Sequence, residues 1–396
     1  MNNFKILAIN SGSSSLKFKL YDMPAGNICV GGIVERIGSS EAQFSINDKT
    51  KTVPIENHEN AVKCLLEELL EQNFINQLNE IVGVGHRVAH GGEFFKKSTV
   101  VKEKELEKIE QLGELAPLHN PVNAMGIKVF SEILPQSIQV AVFDTAFHQT
   151  IPSYNYLYPL PYSLYQKYKI RKYGFHGTSH QYVSQKAAKV MDLNFKESSF
   201  ITCHLGNGAS ICCIKNGKSL DTSMGFTPTD GLMMGTRCGS IDPMILPFLQ
   251  KNLYLSVDEV EHIINNESGL LGISGISNDF RDVQISAEKG NPLSKISIKM
   301  FVKRISEYIL SYASELKRID GIIFTAGIGE HSAYVRREIC KQLACIGVRL
   351  NSRKNRKNEK IISSENSEVK VLVIPTDEEL VIAKDTYKLV HNLVKV

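Results

Sequence analysis

The feature that most constrains this chain is a strand–turn–strand pattern that occurs twice. The first copy, residues 6–21, joins two apolar strands through the small polar turn at residues 11–15. The second copy, residues 200–214, joins two apolar strands through a turn at residues 206–208. Small residues let backbone N–H groups approach a phosphate, and hydroxyl groups add donors. Such an internal repeat predicts two halves, each beginning with a hairpin able to bind phosphate.

One lysine and one asparagine stand beside the first turn. Period-2 alternation places Leu16 and Phe18 on one face of the second strand and Lys17 on the other, next to the turn. Its ammonium group would neutralise phosphate charge, and Asn10, at the end of the first strand, would offer an oxygen to a metal. A serine-rich turn with a solvated lysine is the simpler interpretation of one copy, and the second copy favours the phosphate interpretation.

Composition limits the class of protein. A chain of 396 residues exceeds the usual size of one core, so we predict two domains, residues 1–148 with 383–396 and residues 149–382. The net charge of +4 does not require a nucleic-acid partner. The eight scattered cysteines form no C-x-x-C pair, and we find neither a signal peptide nor a membrane-length apolar window. The sequence predicts a cytoplasmic protein without a nucleic-acid or membrane partner.

Two charged residues follow predicted buried strands in the first half. Arg87 lies after a strand at residues 80–84 and is framed by glycines, which suits forked binding of a carboxylate or phosphate. A structural ion pair is an equally good explanation of Arg87. Asp144 follows a strand at residues 137–143, where a carboxylate would reach a cleft or would cap the next turn.

The second half carries a histidine and an arginine of the same kind. His176, between Phe175 and Gly177, would donate to developing negative charge, although a structural histidine is the commoner case. Arg237 lies in a glycine-rich loop at residues 224–239. Arg87 and Arg237 together would neutralise a transferring phosphoryl group.

The last third has four further predicted features. A buried strand at residues 321–325 runs into a glycine turn at residues 327–329, which permits close approach of a base or ribose. Glu378 and Glu379 are explained as first-turn acids favoured by the helix dipole, or as magnesium ligands. Residues 351–360 are predicted to form a solvated basic loop. The longest predicted helix, residues 293–317, is expected to bury Ile296, Met300, Ile305, Ile309 and Tyr312.

Taken together, these motifs resemble the acetate kinase family. Six stretches carry the resemblance in unbroken order: Asn10-Ser-Gly-Ser-Ser-Ser-Leu-Lys17, Gly85-His-Arg-Val-Ala-His-Gly-Gly-Glu93, Phe175-His-Gly-Thr-Ser-His180, His204-Leu-Gly-Asn-Gly208, Gly327-Ile-Gly-Glu-His331 and Pro375-Thr-Asp-Glu-Glu379. The resemblance implies an α/β fold of two duplicated actin-like ATPase (ribonuclease H-like) domains around a nucleotide cleft. It also implies reversible Mg²⁺-dependent transfer of the ATP γ-phosphoryl group to acetate, giving acetyl phosphate and ADP. A homodimer, and Mn²⁺ as a substitute metal, belong to the same expectation.

The resemblance also implies roles for individual residues. The expected metal ligands are Asn10 and Glu378, and the expected catalytic residues are Arg87, Asp144, His176 and Arg237. The expected pocket for the acid consists of Arg87, Ala89, Leu118, Phe175 and Pro228. The expected nucleotide contacts are Lys17, His204, Leu205, Gly206, Asn207, Gly208, Asp279, Phe280, Arg281, Gly327, Ile328, Gly329, Glu330 and His331.

Two positions differ from the family pattern. Ala89 stands where a valine commonly lines the methyl pocket, so we predict some activity with propionate, because one methylene group is worth only about 1–3 kcal/mol in such a pocket. His331 replaces an asparagine beside the adenosine site, which leaves nucleotide preference open.

Three alternatives remain at this stage. A propionate or butyrate kinase of the same superfamily would differ only in the preferred acid. An actin-like or chaperone-type ATPase has less use for a carboxylate-binding arginine. A nucleic-acid module rests only on residues 351–360 and predicts salt-sensitive binding.

Overall fold

The structure is a computed structural model, and it describes residues 4–47 and 49–394. The chain forms two compact units: unit 1 combines Met1–Phe147 with Asp377–Val396, and unit 2 is His148–Thr376. The predicted domain boundaries differ from these units at His148, which lies in unit 2, and at residues 377–382, which lie in unit 1. They begin a helix that packs along its length against the strands of unit 1.

Unit 1 is built on one mixed sheet. Within the described residues its strands are β1 (Phe4–Ser11), β2 (Ser15–Met23), β3 (Asn27–Glu35), β4 (Ser39–Ile46), β5 (Lys49–Ile55), β6 (Ile81–Val88), β7 (Thr99–Val100) and β8 (Ile138–Phe143). Their order across the sheet is β5-β4-β3-β2-β1-β6-β8-β7. Strands β1 to β5 form an antiparallel meander, and β6 and β8 continue the sheet in parallel with β1.

Helices cover both faces of this sheet. The first three are α1 (His58–Glu71), α2 (Glu103–Gln111) and α3 (Asn120–Ile133). On β1, alternation sends Leu7 and Ile9 into one buried cluster, with Leu65 of α1. Ile6 and Ala8 point to the opposite face and enter a second cluster. Both faces of the sheet are therefore apolar cores.

Unit 2 is built on a second mixed sheet. Within the described residues its strands are β9 (Ser199–Leu205), β10 (Ala209–Lys215), β11 (Lys218–Thr222), β12 (Gly321–Thr325) and β13 (Lys370–Val373), in the order β11-β10-β9-β12-β13. Asn216 and Gly217 both have positive φ and form the tight turn between β10 and β11.

Most helices belong to unit 2. They are α4 (Ser153–Tyr156), α5 (Tyr162–Tyr168), α6 (Gly177–Val190), α7 (Ile245–Asn252), α8 (Val257–Asn266), α9 (Gly269–Ser274), α10 (Phe280–Glu288), α11 (Pro292–Glu315), α12 (Ala326–His331), α13 (Ala333–Gln342) and α14 (Ser352–Arg356). Local sequence starts several of them: Asn291 caps α11 ahead of Pro292, and Ser256 forms a capping box with Glu259 at α8. The chain then returns to unit 1 with α15 (Glu378–Val394).

The same five-stranded pattern underlies both sheets. In unit 1, β3-β2-β1 are antiparallel neighbours, and β6 and β8 extend the sheet in parallel with β1. In unit 2, β11-β10-β9 and then β12 and β13 repeat this order and these directions. The predicted α/β class and the duplication are confirmed.

Three predicted elements differ in the structure. Residues 351–360 are not simply a solvated loop, because they contain α14 and the buried Asn355. The glycine turn at residues 327–329 is the first part of helix α12. On α11, Ile305, Ile309 and Tyr312 are buried, but Ile296 is 48% and Met300 38% exposed.

The error on α11 has a geometric cause. Ile296 and Ile305 are nine residues apart, which is about two and a half turns, so they lie on opposite faces. The buried side of the first half of α11 is formed by Ile298, Phe301 and Val302 instead.

In the part of the chain that the structure describes, no helix has both the length and the apolar character needed to cross a bilayer. All eight cysteines are free thiols, and burial raises the pKa of Cys212 and Cys203.

Candidate active site

In unit 1, Arg87 and Asp144 lie at the carboxyl ends of two neighbouring strands. β6 and β8 are parallel neighbours in which Arg87 is paired with Val142, so the end of β8 delivers Asp144 beside the arginine. Arg87 Nε donates to Asp144 Oδ1 at 3.2 Å and Oδ2 at 3.1 Å, and Nη2 donates to Oδ2 at 2.5 Å. Such forked pairing fixes the plane of the guanidinium group. The Asp144 carboxylate also raises the pKa of Arg87, which stays charged.

Asn10, in the first hairpin, contacts the guanidinium group of Arg87. β1 pairs in parallel with β6, and Arg87 Nη1 donates to Asn10 Oδ1 at 3.4 Å. Asn10 itself pairs with Lys17 across the hairpin. The structure therefore brings together Asn10, Arg87 and Asp144, which are far apart in the sequence.

The first turn of α15 adds two carboxylates with different surroundings. Burial raises the pKa of Glu378 to about 7, and the neighbouring Asp144 and Glu379 act in the same direction against Arg87 and Lys17. Burial also acts on Glu379, but hydrogen bonding to Lys17 lowers its pKa. Lys17 forms an ion pair with Glu379, and Lys19 Nζ lies 3.4 Å from Glu379 Oε2. Glu379 is thus more than a helix-dipole acid.

The donor set in unit 1 suits a hard divalent cation. Asn10 offers an amide oxygen and Glu378 a carboxylate. Asn10 Oδ1 accepts a hydrogen bond from Arg87, and the charge of Glu378 helps to raise the pKa of Arg87. Magnesium prefers oxygen ligands and usually keeps several waters, so it needs only one or two protein groups. Residues 4–47 and 49–394 contain no group of three or more His, Cys, Asp or Glu that could hold a metal ion.

The residues predicted to line an acid pocket differ in burial. Ala89, two residues after Arg87, is 4% exposed, and its backbone N–H donates to Asn123 Oδ1 at 3.1 Å. Leu118 is 73% exposed, so its part in an enclosed pocket stays a prediction. In unit 2, Phe175 is buried and Pro228 is partly exposed.

Unit 2 contains a cavity of about 640 Å³. This volume is typical of small-molecule sites. Eight residues predicted to contact nucleotide line it: Gly206, Asn207, Asp279, Phe280, Arg281, Gly327, Ile328 and His331. Three further lining residues, Asn278, Gln284 and Ser332, were missed by the sequence analysis.

A helical period would have found one of the missed residues. Gln284 lies on α10 one turn after Phe280 and Arg281, so its side chain follows theirs on the same face. Asn278 and Ser332 adjoin predicted residues in sequence. No motif distinguishes them from ordinary polar neighbours.

Other predicted nucleotide residues do not line this cavity. Leu205 lies in the core of unit 2. Glu330 Oε1 accepts from Ala326 N at 2.8 Å and from Thr376 N at 3.2 Å, so its carboxylate holds the start of α12. The predicted roles of Lys17, His204, Gly208 and Gly329 in nucleotide binding stay predictions.

His176 belongs to a hydrogen-bonded group of histidines. Its Nδ1 lies 2.9 Å from Ser210 Oγ, which is 2.8 Å from Nε2 of the fully buried His180. His180 Nδ1 in turn lies 2.7 Å from Thr202 Oγ1. Burial lowers the pKa of His180 far below its ordinary value, so this imidazole is neutral. The ring of His176 stacks on His204 at 4.1 Å, which leaves its orientation well defined.

Arg237 flanks the same glycine as His176. A Cβ atom placed on Gly208 would lie 3.5 Å from Arg237 Nη1 and 3.8 Å from His176 Nε2. The other contacts of Nη1 are the Pro228 carbonyl at 3.5 Å and Met234 Sδ at 3.8 Å. Among the described residues Arg237 forms no salt bridge, and burial lowers its pKa. A cation and an imidazole beside exposed backbone are suited to an anion with dispersed charge.

The chain is similar to known proteins over almost its whole length. The acetokinase family model matches residues 5–384. Acetate kinase 2 of Listeria monocytogenes is 54% identical over 388 residues, covering 97% of this chain and 98% of that protein. The propionate kinase PduW of Salmonella typhimurium is 51% identical over 391 residues, covering 98% and 97%.

A solved structure is similar over the whole length. The crystal structure of Porphyromonas gingivalis acetate kinase superposes with a TM-score of 0.93 at 40% identity, covering 98% of this chain and 99% of that chain. The family model, the relatives and the similar solved structure all indicate one family: the chain belongs to the acetokinase family.

Proposed function

We propose that this protein is a phosphotransferase with a carboxyl acceptor, an acetate kinase, which transfers the γ-phosphoryl group of ATP to acetate and forms acetyl phosphate and ADP reversibly. The observation that carries the proposal is the forked Arg87–Asp144 pair beside Asn10, in a chain that is 54% identical to an acetate kinase. An arginine fixed in this way is prepared to bind a second carboxylate with its remaining donors.

The acid needs positioning more than activation. A carboxylic acid of ordinary pKa is ionised at pH 7, so its oxygen attacks without a general base. Arg87 binds the carboxylate, and Asp144 orients Arg87. Within unit 1, the buried Ala89 contacts the methyl group of the acid.

The nucleotide and the metal use the other groups. The base and ribose occupy the cavity of unit 2, and residues 204–208 of the same unit contact phosphate. Asn10 and Glu378 hold Mg²⁺, for which Mn²⁺ substitutes; the metal supplies charge neutralisation to the phosphates. His176 and Arg237 stabilise the charge on the transferring phosphoryl group, since such transfer depends on positioning and electrostatics rather than covalent help.

The test is formation of acyl phosphate. The enzyme is incubated with ATP, Mg²⁺ and acetate, propionate or butyrate, and the product is trapped as the hydroxamate. Hydroxamate should form with acetate foremost and be lost in Arg87→Ala and Arg237→Ala. Arg318→Ala is the matched control, because that arginine is exposed and pairs with Asp320. ATP hydrolysis that does not depend on any acid would instead indicate an ATPase.

A second candidate substrate is propionate. Ala89 is buried and smaller than the valine expected there, and a propionate kinase is 51% identical to this chain. Ala89→Val should lower the ratio of propionate to acetate kcat/KM about tenfold, because one methylene is worth about 1–3 kcal/mol in an apolar pocket. Ala61→Val, a buried alanine of α1, is a control for general overpacking. An unchanged ratio in Ala89→Val would remove Ala89 from the pocket.

The assembly is expected to be a homodimer in the cytoplasm. Large apolar side chains are exposed together near α7 and α8, and a second copy of the chain would cover them: Ile241, Met244, Ile245, Phe248, Leu253, Tyr254 and Val257. Light scattering of the wild type and of Phe248→Glu measures this directly. A monomeric wild type would contradict the proposal.

A further inference from the structure

Arg336, on α13, is a fully buried arginine outside the groups assigned above. It is 0% exposed and is the largest completely buried side chain that the structure describes. Nη1 donates to the carbonyls of Gly329 at 2.8 Å and Glu330 at 2.7 Å. Nε donates to Asn355 Oδ1 at 2.8 Å, and Nη2 donates to Asn355 O at 2.9 Å and Asn358 Oδ1 at 2.5 Å. All five N–H groups of a guanidinium are thereby used.

None of these acceptors is a carboxylate. Burying a cation is costly unless it is paired and hydrogen-bonded, and apolar residues of similar volume usually serve stability as well. Within the described residues Arg336 is satisfied by dipoles alone, which requires every acceptor to stay in place. The arrangement therefore couples the positions of the segments that supply the acceptors.

Those segments are the C-terminal end of α12 and the region of α14. Gly329 and Glu330 supply last-turn carbonyls that have no partner within a helix of six residues. Asn355 and Asn358 come from residues 351–360, and Asn355 Nδ2 also donates to the Ala333 carbonyl at 2.8 Å. α12 is too short to be stable alone. Glu330 Oε1 holds its beginning and Arg336 holds its end.

The same short helix forms one wall of the cavity. Gly327, Ile328 and His331 of α12, with the following Ser332, are lining residues. Arg336 itself does not line the cavity. Movement of α12 would displace four lining residues at once, whereas the wall formed by α10 would remain.

We propose that Arg336 is a positioning residue for the nucleotide: it fixes α12 against α14 through Asn355 and Asn358 and so sets the shape of the cavity. The inference rests on the proposed function in one respect, that the cavity binds a nucleoside diphosphate. Its effect should appear in nucleotide affinity and leave the carboxylate site of unit 1 unaffected.

The experiment measures ADP binding by titration calorimetry on the full chain. Arg336→Lys keeps the charge but has three donors instead of a planar fork of five. We expect the Kd for ADP to rise at least tenfold and the KM for the acid to stay within twofold. Arg337→Lys is the matched control, because the neighbouring Arg337 is exposed and pairs with Glu338; its Kd should stay within twofold of wild type.

A milder pair of variants covers a failure of Arg336→Lys to fold. Asn358 has φ of 51°, which glycine and aspartate tolerate. Asn358→Gly removes one of the five acceptors of Arg336 and should raise the Kd for ADP about threefold. Asn358→Asp keeps an acceptor at this position and should bind ADP with wild-type affinity.

Four outcomes would overturn the inference. A folded Arg336→Lys that binds ADP within twofold of wild type would do so, as would Asn358→Gly with unchanged affinity. A wild type that does not bind ADP at all would overturn the proposed function, and this inference with it. A parallel rise in the KM for the acid would show that Arg336 supports unit 2 in general.

Discussion

Arg87 in unit 1 and Arg237 in unit 2 are the same residue in opposite electrostatic surroundings. Arg87 is bound by the carboxylate of Asp144, which raises its pKa. In the described ranges, 4–47 and 49–394, the acceptors of Arg237 are a carbonyl and a thioether, and burial lowers its pKa. Among these residues the charge of Arg87 is compensated by a carboxylate, and that of Arg237 is not. The first is therefore an oriented donor, and the second is a centre that gains most from an incoming anion.

This difference matches the proposed roles. A substrate that is already an anion is bound best by an arginine whose guanidinium plane is fixed and whose positive charge is partly offset by a neighbouring carboxylate. A phosphoryl group in transfer spreads charge over its equatorial oxygens and gains most from a cation that has no competing anion. Mutations of the two arginines should therefore differ in kind.

The largest expected effect is that of Arg237→Ala on turnover. We expect kcat to fall about 10³-fold, equivalent to about 4 kcal/mol, because arginines at transferring phosphoryl groups are worth about this much. The free energy of unfolding should change by less than about 1 kcal/mol, since no buried anion loses its partner. Steady-state kinetics and urea denaturation measure the two quantities. If Arg237→Ala lowered stability but left kcat unchanged, Arg237 would have a structural role and not the proposed catalytic one.

Arg87→Ala should reduce stability as well as activity. It leaves Asp144, whose side chain is 1% exposed, without its cation. Breaking a buried pair costs about 3–5 kcal/mol, and we expect about 2–3 kcal/mol because Arg87 is partly exposed. Urea denaturation should show that Arg87→Ala with Asp144→Asn regains most of this stability but no activity. Equal stability of the single and double variants would contradict the pairing.

The smallest expected effect is on the pH dependence of stability. It tests whether the electrostatic difference between the two units is confined to Arg87 and Arg237. His86 in unit 1 and His148 in unit 2 are both buried, and burial lowers the pKa of each to about 4. The unfolded chain binds a proton near pH 6.5 and the folded chain does not, so each histidine makes stability fall as pH drops from 6.5 towards 4. The slope is about 1.4 kcal/mol per pH unit for each group.

Removing either histidine should remove the same slope. His86→Gln and His148→Gln are compared with the wild type by urea denaturation between pH 7 and 5. The stability of each variant relative to wild type should rise by a similar amount as the pH falls. Clearly unequal slopes would mean that the two units differ in general polarity, beyond the two arginines.

The positions of the candidate site residues could be predicted because they lie near strand ends and in short motifs. Arg87 is the last residue but one of β6, Asp144 follows β8, and eight cavity residues lie in short motifs beside strands or helix starts. Their pairing was not predictable, because either an ion pair or an anion site explained Arg87 equally well. The carboxylate of Glu330, a predicted nucleotide contact, accepts hydrogen bonds at the start of α12. A motif gives the position of a residue and not the direction of its side chain.

The sequence by itself determined the α/β class, the duplication and the order of motifs, because period-2 strands and small polar turns are local properties of the chain. Only the tertiary structure decided which charges are compensated: the partner of Arg87 is 57 residues away, that of Lys17 lies in the last helix, and Arg336 depends on Asn355. The exposed face of the first half of α11 was likewise decided by packing. Local patterns record the period of an element, whereas partners and buried faces depend on which elements meet in space.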